Sequence, residues 1–149
     1  MLIDDADPVA MDSLQFARIV KQSSTGALQR VMAGDRRTPV LDELVHRMPD
    51  AFRADRAAGL TAVVHWRVGD RPDGGFDTYE LLIDDGACVV SPGPSREPRL
   101  VLTIGAVDFV RMVTGNTHAV ALVMRGKLKS RGDMALTAKF PGLFDTPRP

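Results

Sequence analysis

Apolar positions in the first 59 residues recur at helical spacing. From Leu60 they switch to strict alternation, and after Ile104 they cluster into dense greasy runs. In the first zone Asp7 and Pro8 fit an N-cap and first helical residue, with Leu14, Ala17, Ile19 and Val20 following as far as Lys21. Ser23 to Thr25 break that helix, and Ala27, Leu28, Val31 and Met32 form a second that closes at Gly34, where glycine can take the left-handed conformation. Thr38-Pro39 opens a third with Leu41, Leu44, Val45 and Met48 on one stripe; Pro49 ends or bends it, and Ala51 to Ala58 adds one or two turns.

In the second zone Ala62, Val64, Trp66 and Val68 alternate with Thr61, Val63, His65 and Arg67, the period of a half-buried strand. Gly69 to Gly75 is a hairpin connection, and the chain returns over Thr78 to Asp84 with Tyr79, Leu81 and Ile83 on one face. Asp85-Gly86 is a tight turn into a third strand, Ala87 to Val90. Pro92 to Pro98 is a stiff loop before a fourth strand, Arg99 to Ile104. Three hairpin-like steps in succession predict an antiparallel sheet.

The third zone, Val107 to Phe144, packs two very apolar segments around one short cationic strand. Helical character runs from Ala106 to Thr114, and Asn116 or Thr117 caps a further helix, His118 to Met124, that is apolar almost all round. Lys127, Lys129 and Arg131 alternate with Leu128 and Ser130, which predicts a fifth strand with its basic face in solvent. Asp133 caps the last helix, carrying Met134, Leu136, Ala138 and Phe140, which Pro141-Gly142 disrupts; Asp145 to Pro149 is expected to fray.

At 149 residues the chain fits one domain able to bury a core without staples. Its 19 Lys and Arg balance 19 Asp and Glu, so global charge gives no reason to expect nucleic acid or an anionic membrane as partner. The single Cys88 excludes an internal disulfide. Residues 1–7 lack the basic start and apolar run of a signal peptide, and no apolar run nears the ~20 residues that span a bilayer. A cytoplasmic protein is the expectation.

Catalytic constellations are absent from the spacing. His46, His65 and His118 show no HExxH or paired ligand pattern; His65 shares a strand face with Arg67 that should meet solvent, and His118 should lie near a helix end. Cys88 sits mid-strand among apolar neighbours, where a thiol is an inert small hydrophobe. No GxSxG elbow exposes a serine, and Gly69 to Gly75 has neither GxGxxG nor a P-loop lysine. Arg131-Gly132-Asp133 is a strand-to-helix turn with a cap. No metal, no cofactor and no enzyme activity are therefore expected.

Taken together, Ile83-Asp84-Asp85-Gly86, Asp108-Phe109 before Thr114-Gly115, Gly126-Lys127-Leu128-Lys129, Gly132-Asp133 and an apolar terminal helix make the chain resemble the sterol carrier protein 2 domain over roughly Val40 to Phe144. That lipid-binding module also occurs fused to peroxisomal and sulfatase enzymes; the likeness here is to a bacterial stand-alone member. The resemblance implies an α+β fold in which helices cover one face of a five-stranded, mostly antiparallel sheet, with a hydrophobic tunnel for a sterol, fatty acid or fatty acyl-CoA. It divides the chain into an N-terminal helical extension (1–37), the lipid-binding domain (38–145) and a short tail (146–149). Trp66, Phe109, Met112, Val113, Leu122, Met124, Leu128, Ser130, Met134 and Phe140 are the expected lining. Methionine suits such a lining because it adapts to loosely shaped guests. Ser130 departs from the family pattern, where a branched aliphatic is usual, and its hydroxyl needs a partner if it points inward with Leu128. Two functions remain: carriage of a lipid or sterol-like molecule, handed to a membrane or a lipid-metabolising enzyme, or a structural, partner-binding domain whose tunnel is filled with side chains.

Overall fold

The computed structural model describes residues 2–149. Its centre is a five-stranded sheet in which β1 (Ala62–Val68) lies between β2 (Asp77–Asp84) and β4 (Leu100–Ile104), with β3 (Ala87–Val90) and β5 (Leu128–Gly132) at the edges. Strict alternation makes one face apolar. Ala62, Val64, Trp66 and Val68 of β1 align with Leu81 and Ile83 of β2 and with Leu100, Leu102 and Ile104 of β4, all buried.

The sheet is mixed. Three neighbouring pairs are antiparallel, but β1 and β4 run parallel. The predicted third hairpin is instead a crossover, in which residues 91–99 pass over β2 and β1 to reach the far side of the sheet. Nine residues can span about 30 Å, whereas the three interstrand steps from β3 to β4 require only about 14 Å.

Seven α-helices and four short 3-10 turns complete the fold: α1 (Ser13–Gln22), α2 (Thr25–Ala33), α3 (Arg37–His46), α4 (Met48–Ala51), α5 (Ala106–Val113), α6 (Ala119–Met124) and α7 (Met134–Lys139) are the helices among the described residues. The first starts later than the sequence suggests. Asp7 and Pro8 cap only a 3-10 turn, Pro8–Ala10. Asp12 opens α1 with a capping box, its Oδ1 accepting from Gln15 N (2.8 Å) while Gln15 Oε1 accepts from Asp12 N (3.0 Å). Ser24 caps α2, and Gly34 ends it in extended rather than left-handed backbone.

Helix α3 begins at Arg37, so Thr38 lies inside it and Pro39 sits in the first turn, where its missing N–H costs nothing. Arg37 is buried because its guanidinium donates to Asp77 Oδ2 (2.8 Å) and to the carbonyls of Val68 (3.0 Å) and Gly69 (2.8 Å), fastening α3 to the β1–β2 hairpin. Past Pro49 the expected extra turns reduce to one 3-10 turn, Ala54–Arg56. Helix α5 packs across α1, α2 and α3, and a single core runs from Ile3 to Leu143. Residues 1–37 thus share their core with the rest.

On the other face of the sheet, Glu80 is fully buried under the crossover. Its Oε2 accepts from the backbone N–H of Ser95 (3.1 Å) and Arg96 (3.0 Å) and lies 2.8 Å from His65 Nε2; Oε1 accepts from Arg96 Nη1 (3.2 Å). His65 therefore packs beneath a loop instead of facing solvent. Burial works to raise the Glu80 pKa, but these hydrogen bonds, His65 first, outweigh it and hold the carboxyl at about 2.

Candidate ligand cavity

A cavity of about 390 Å³ lies between the apolar sheet face and the helices, within the range of small-molecule sites. Its floor is Trp66 of β1, Leu102 of β4, and Leu128 and Ser130 of β5. Register explains the last two: Ser130 stands opposite Leu102 and Leu128 opposite Ile104, on the helix-facing side of the edge strand. Met112 and Val113 of α5, Val120 and Val123 of α6, and Phe140 wall it in. Val120 and Val123 are 66% and 51% exposed, so the cavity opens to solvent beside α6.

Six of the ten residues expected to line a tunnel meet in this wall: Trp66, Met112, Val113, Leu128, Ser130 and Phe140. The other four lie elsewhere. Phe109 of α5 is fully buried, its ring edge-on to Trp66 at 5.3 Å, and Leu122 of α6 is buried as well. Met124 and Met134 project into solvent at 83% and 77% exposure. An all-apolar helix of six residues has too few turns to bury every side, and the far side of α6 stays outside.

Residues outside the expected lining also contribute, two of them, Ser13 and Phe16, from the segment the sequence set apart as an extension. Phe16 and Ser13 of α1, Leu44 of α3 and Met48 of α4 complete one wall, while Phe144, Thr146 and Pro147 complete another. That tail makes defined contacts: Asp145 N donates to Ala51 O (2.9 Å), and Lys21 Nζ to Pro149 O (3.2 Å). Leu44 and Met48 stand on the stripe the sequence shows for its third helix, whereas Phe16 is absent from the stripe it shows for the first; which sheet face these residues cover was not visible.

Polar groups are few and mostly committed. Arg47 borders the cavity, but its guanidinium pairs with Glu43 (2.8 Å) and donates to Ser13 Oγ (3.3 Å) and to the carbonyls of Pro8 and Met11, binding the N-terminal segment to α3. His118 occupies the N-cap position of α6 at the mouth. Asn116 does not cap that helix: its Nδ2 donates to Ala17 O (3.1 Å) and Thr114 Oγ1 (2.9 Å). Trp66 is 2% exposed, and its Nε1 is the one buried side-chain nitrogen or oxygen without a hydrogen-bond partner among the described residues. The indole stands edge-on to Phe109 and Phe140, and Phe140 continues the aromatic chain to Phe144 and Phe52. Away from the cavity, burial pushes the Cys88 thiol up to about 11, so it stays protonated near neutrality. Among the described residues no cluster of three or more His, Cys, Asp or Glu is arranged to hold a metal, and no helix is long and apolar enough to cross a membrane.

Helices stacked on a five-stranded mixed sheet are the α+β architecture shared with solved sterol carrier protein 2 structures. The chain belongs to the SCP-2 sterol transfer family, whose model matches residues 41–145. Among relatives, it is 35% identical over 65 residues to peroxisomal multifunctional enzyme A of Dictyostelium discoideum, covering 44% of this chain and 14% of that one. Sterol carrier protein 2 of Homo sapiens is 26% identical over 84 residues, covering 56% and 15%. The chain therefore spans only about one seventh of the length of these two relatives. The crystal structure of Sterol Carrier Protein 2 Like 2 from Aedes aegypti shares the fold at a TM-score of 0.54 and 15% identity, covering 74% of this chain and all of that one.

Proposed function

We propose that this chain binds one apolar or amphipathic lipid, a sterol, a fatty acid or a fatty acyl chain, in the cavity above Trp66, and passes it on without chemical change. The observation that carries this reading is the roughly 390 Å³ hollow floored by Trp66, Leu102 and Leu128. A guest burying about 12 methylenes gains roughly 10 kcal/mol gross. Micromolar affinity requires about 8 kcal/mol, and association costs consume several. Such a balance suits exchange of a cargo rather than retention of a prosthetic group.

One polar feature favours an amphipathic guest over a plain hydrocarbon. Ser130 places a hydroxyl on the cavity floor. A hydroxyl or carboxyl oxygen on the guest would answer it. Recipients of the cargo, on this reading, are a membrane or a lipid-metabolising enzyme.

Native mass spectrometry of protein prepared without detergent tests the reading. A recurrent adduct of lipid mass, or stoichiometric uptake of added oleate or cholesterol, supports carriage. Protein that stays empty and takes up neither leaves the alternative of a partner-binding domain.

A further inference from the structure

Strand β5 ends the sheet on one side, and among the described residues no further strand pairs with its outer edge. Every residue of it from Lys129 to Gly132 is exposed. The ladder shows which backbone groups that edge presents. Asp133 N donates to Arg99 O (3.1 Å), and these two residues stand opposite each other one step beyond the Leu100–Gly132 pair. Bonded pairs recur at every second position of an antiparallel ladder, so Arg131 and Lys129 bond to β4 while Leu128, Ser130 and Gly132 turn their N–H and C=O groups outward. Outside the ladder, none of these groups meets a backbone partner among the described residues.

The side chains of β5 alternate too. Leu128 and Ser130 face the cavity, so Lys129 and Arg131 leave the strand on the opposite face. Lys127, Lys129 and Arg131 join none of the ion pairs among the described residues. No aspartate or glutamate occurs between Asp108 and Asp133, and Asp133 is committed to Arg99 at 2.9 Å. Open backbone groups and uncompensated cations therefore occupy one edge.

We propose that β5 accepts an additional strand from a protein partner, an extended segment with glutamate or aspartate at every second position. Main-chain hydrogen bonds drive strand addition to an open edge, and alternate side chains select the strand. Acidic groups opposite Lys129 and Arg131 form cross-strand ion pairs on one face, while the intervening apolar side chains lie beside Leu128 and Ser130 on the other. A second copy of this chain is the wrong occupant. Antiparallel pairing of two β5 strands centred on Ser130 sets Lys129 of each copy against Arg131 of the other, and like charges directly opposite destabilise a pair. The edge is open whether or not the cavity holds a lipid, so the proposal stands apart from the carrier reading.

The test is fluorescence anisotropy of a short labelled peptide, alternating glutamate and valine, titrated with the full chain. Binding is expected, and it should weaken as salt shortens the screening length. The same peptide with lysine in place of glutamate should not bind. Methylating the amide nitrogens of two valines, which face β5 in the paired strand, leaves the charge intact and should weaken binding roughly 25-fold, since each backbone hydrogen bond contributes about fivefold. The double variant Lys129→Glu, Arg131→Glu should reverse the preference, taking the lysine peptide and refusing the glutamate one; the methylated peptide probes the same edge on the parent chain. No binding of the glutamate peptide up to about 1 mM, equal binding of its methylated form, or a folded variant with the parent's preference would overturn the proposal. So would self-association in sedimentation velocity that the glutamate peptide abolishes, because a second copy would then own the edge.

Discussion

Glu80 is the residue whose loss should separate stability from cargo binding. Its carboxylate has no exposure, carries three partners from the crossover and one from β1, and lies on the sheet face opposite the cavity. Glu80→Gln keeps the shape but removes the charge and one acceptor oxygen from His65 and the crossover N–H groups, while the half-exposed Arg96 guanidinium can turn to water. Breaking one side of a buried, charge-assisted set costs about 3 kcal/mol, which for a chain of this size lowers Tm by roughly 6–12 °C. The sign of the pH effect follows from a folded pKa of about 2 against an ordinary 4.5. The contribution of Glu80 is fully present above 4.5 and disappears as pH falls through the folded value near 2. Urea unfolding of parent and variant from pH 7 to pH 2.5 should therefore show the gap between them closing as the solution is acidified. Amide exchange across residues 91–98 should speed up in the variant at pH 7, while oleate uptake stays as in the parent. Parallel stability curves down to pH 2.5, or a variant as stable as the parent at pH 7, would refute the assignment of Glu80 as the anchor of the crossover.

Further outcomes follow from the cavity and its walls. Val113→Trp fills the hollow from α5 and should abolish oleate uptake in native mass spectrometry, with a cooperative urea transition retained. Phe16→Ala removes a wall contributed by α1 and should cost about 3 kcal/mol in urea unfolding, and native mass spectrometry should show a shift in uptake toward bulkier guests. Ser130→Val restores an apolar floor; an unchanged lipid profile would show that the hydroxyl does not select the guest. Gly115 has a φ of +76°, and a Cβ there would collide with the Pro147 carbonyl. Gly115→Ala should cost about 1–2 kcal/mol and make the tail beyond Asp145 faster to proteolyse.

Local rules reached most of the elements because their signals are local. The alternation of Ala62, Val64, Trp66 and Val68, the Asp85-Gly86 turn and the Asp133 cap, whose Oδ1 accepts from Leu136 N at 3.0 Å, all stand where the sequence puts them. What the sequence hid was long-range. Nothing near residues 91–99 says that they cross two strands, since a proline-rich loop can close a hairpin equally well. The parallel pairing of β1 with β4 follows only from that crossing, and with it the burial of Glu80 and His65. The cavity was half legible. Alternation put Leu128 and Ser130 on one side of their strand and the family resemblance joined Trp66 to them, while Phe16, Leu44 and Met48 could not be added until the fold laid α1, α3 and α4 over the same hollow. Met124 and Met134 share the composition of cavity residues but not the geometry, because orientation within a short helix is set by the partner it packs on.

The lone indole of the chain, seated in the cavity wall and hemmed by Phe109 and Phe140, gives the protein an internal optical probe. With no second tryptophan to blur the signal, emission reports one place only. Titrating a guest should change its intensity or colour in step with occupancy, so that loading and unloading become measurable in real time with no dye attached.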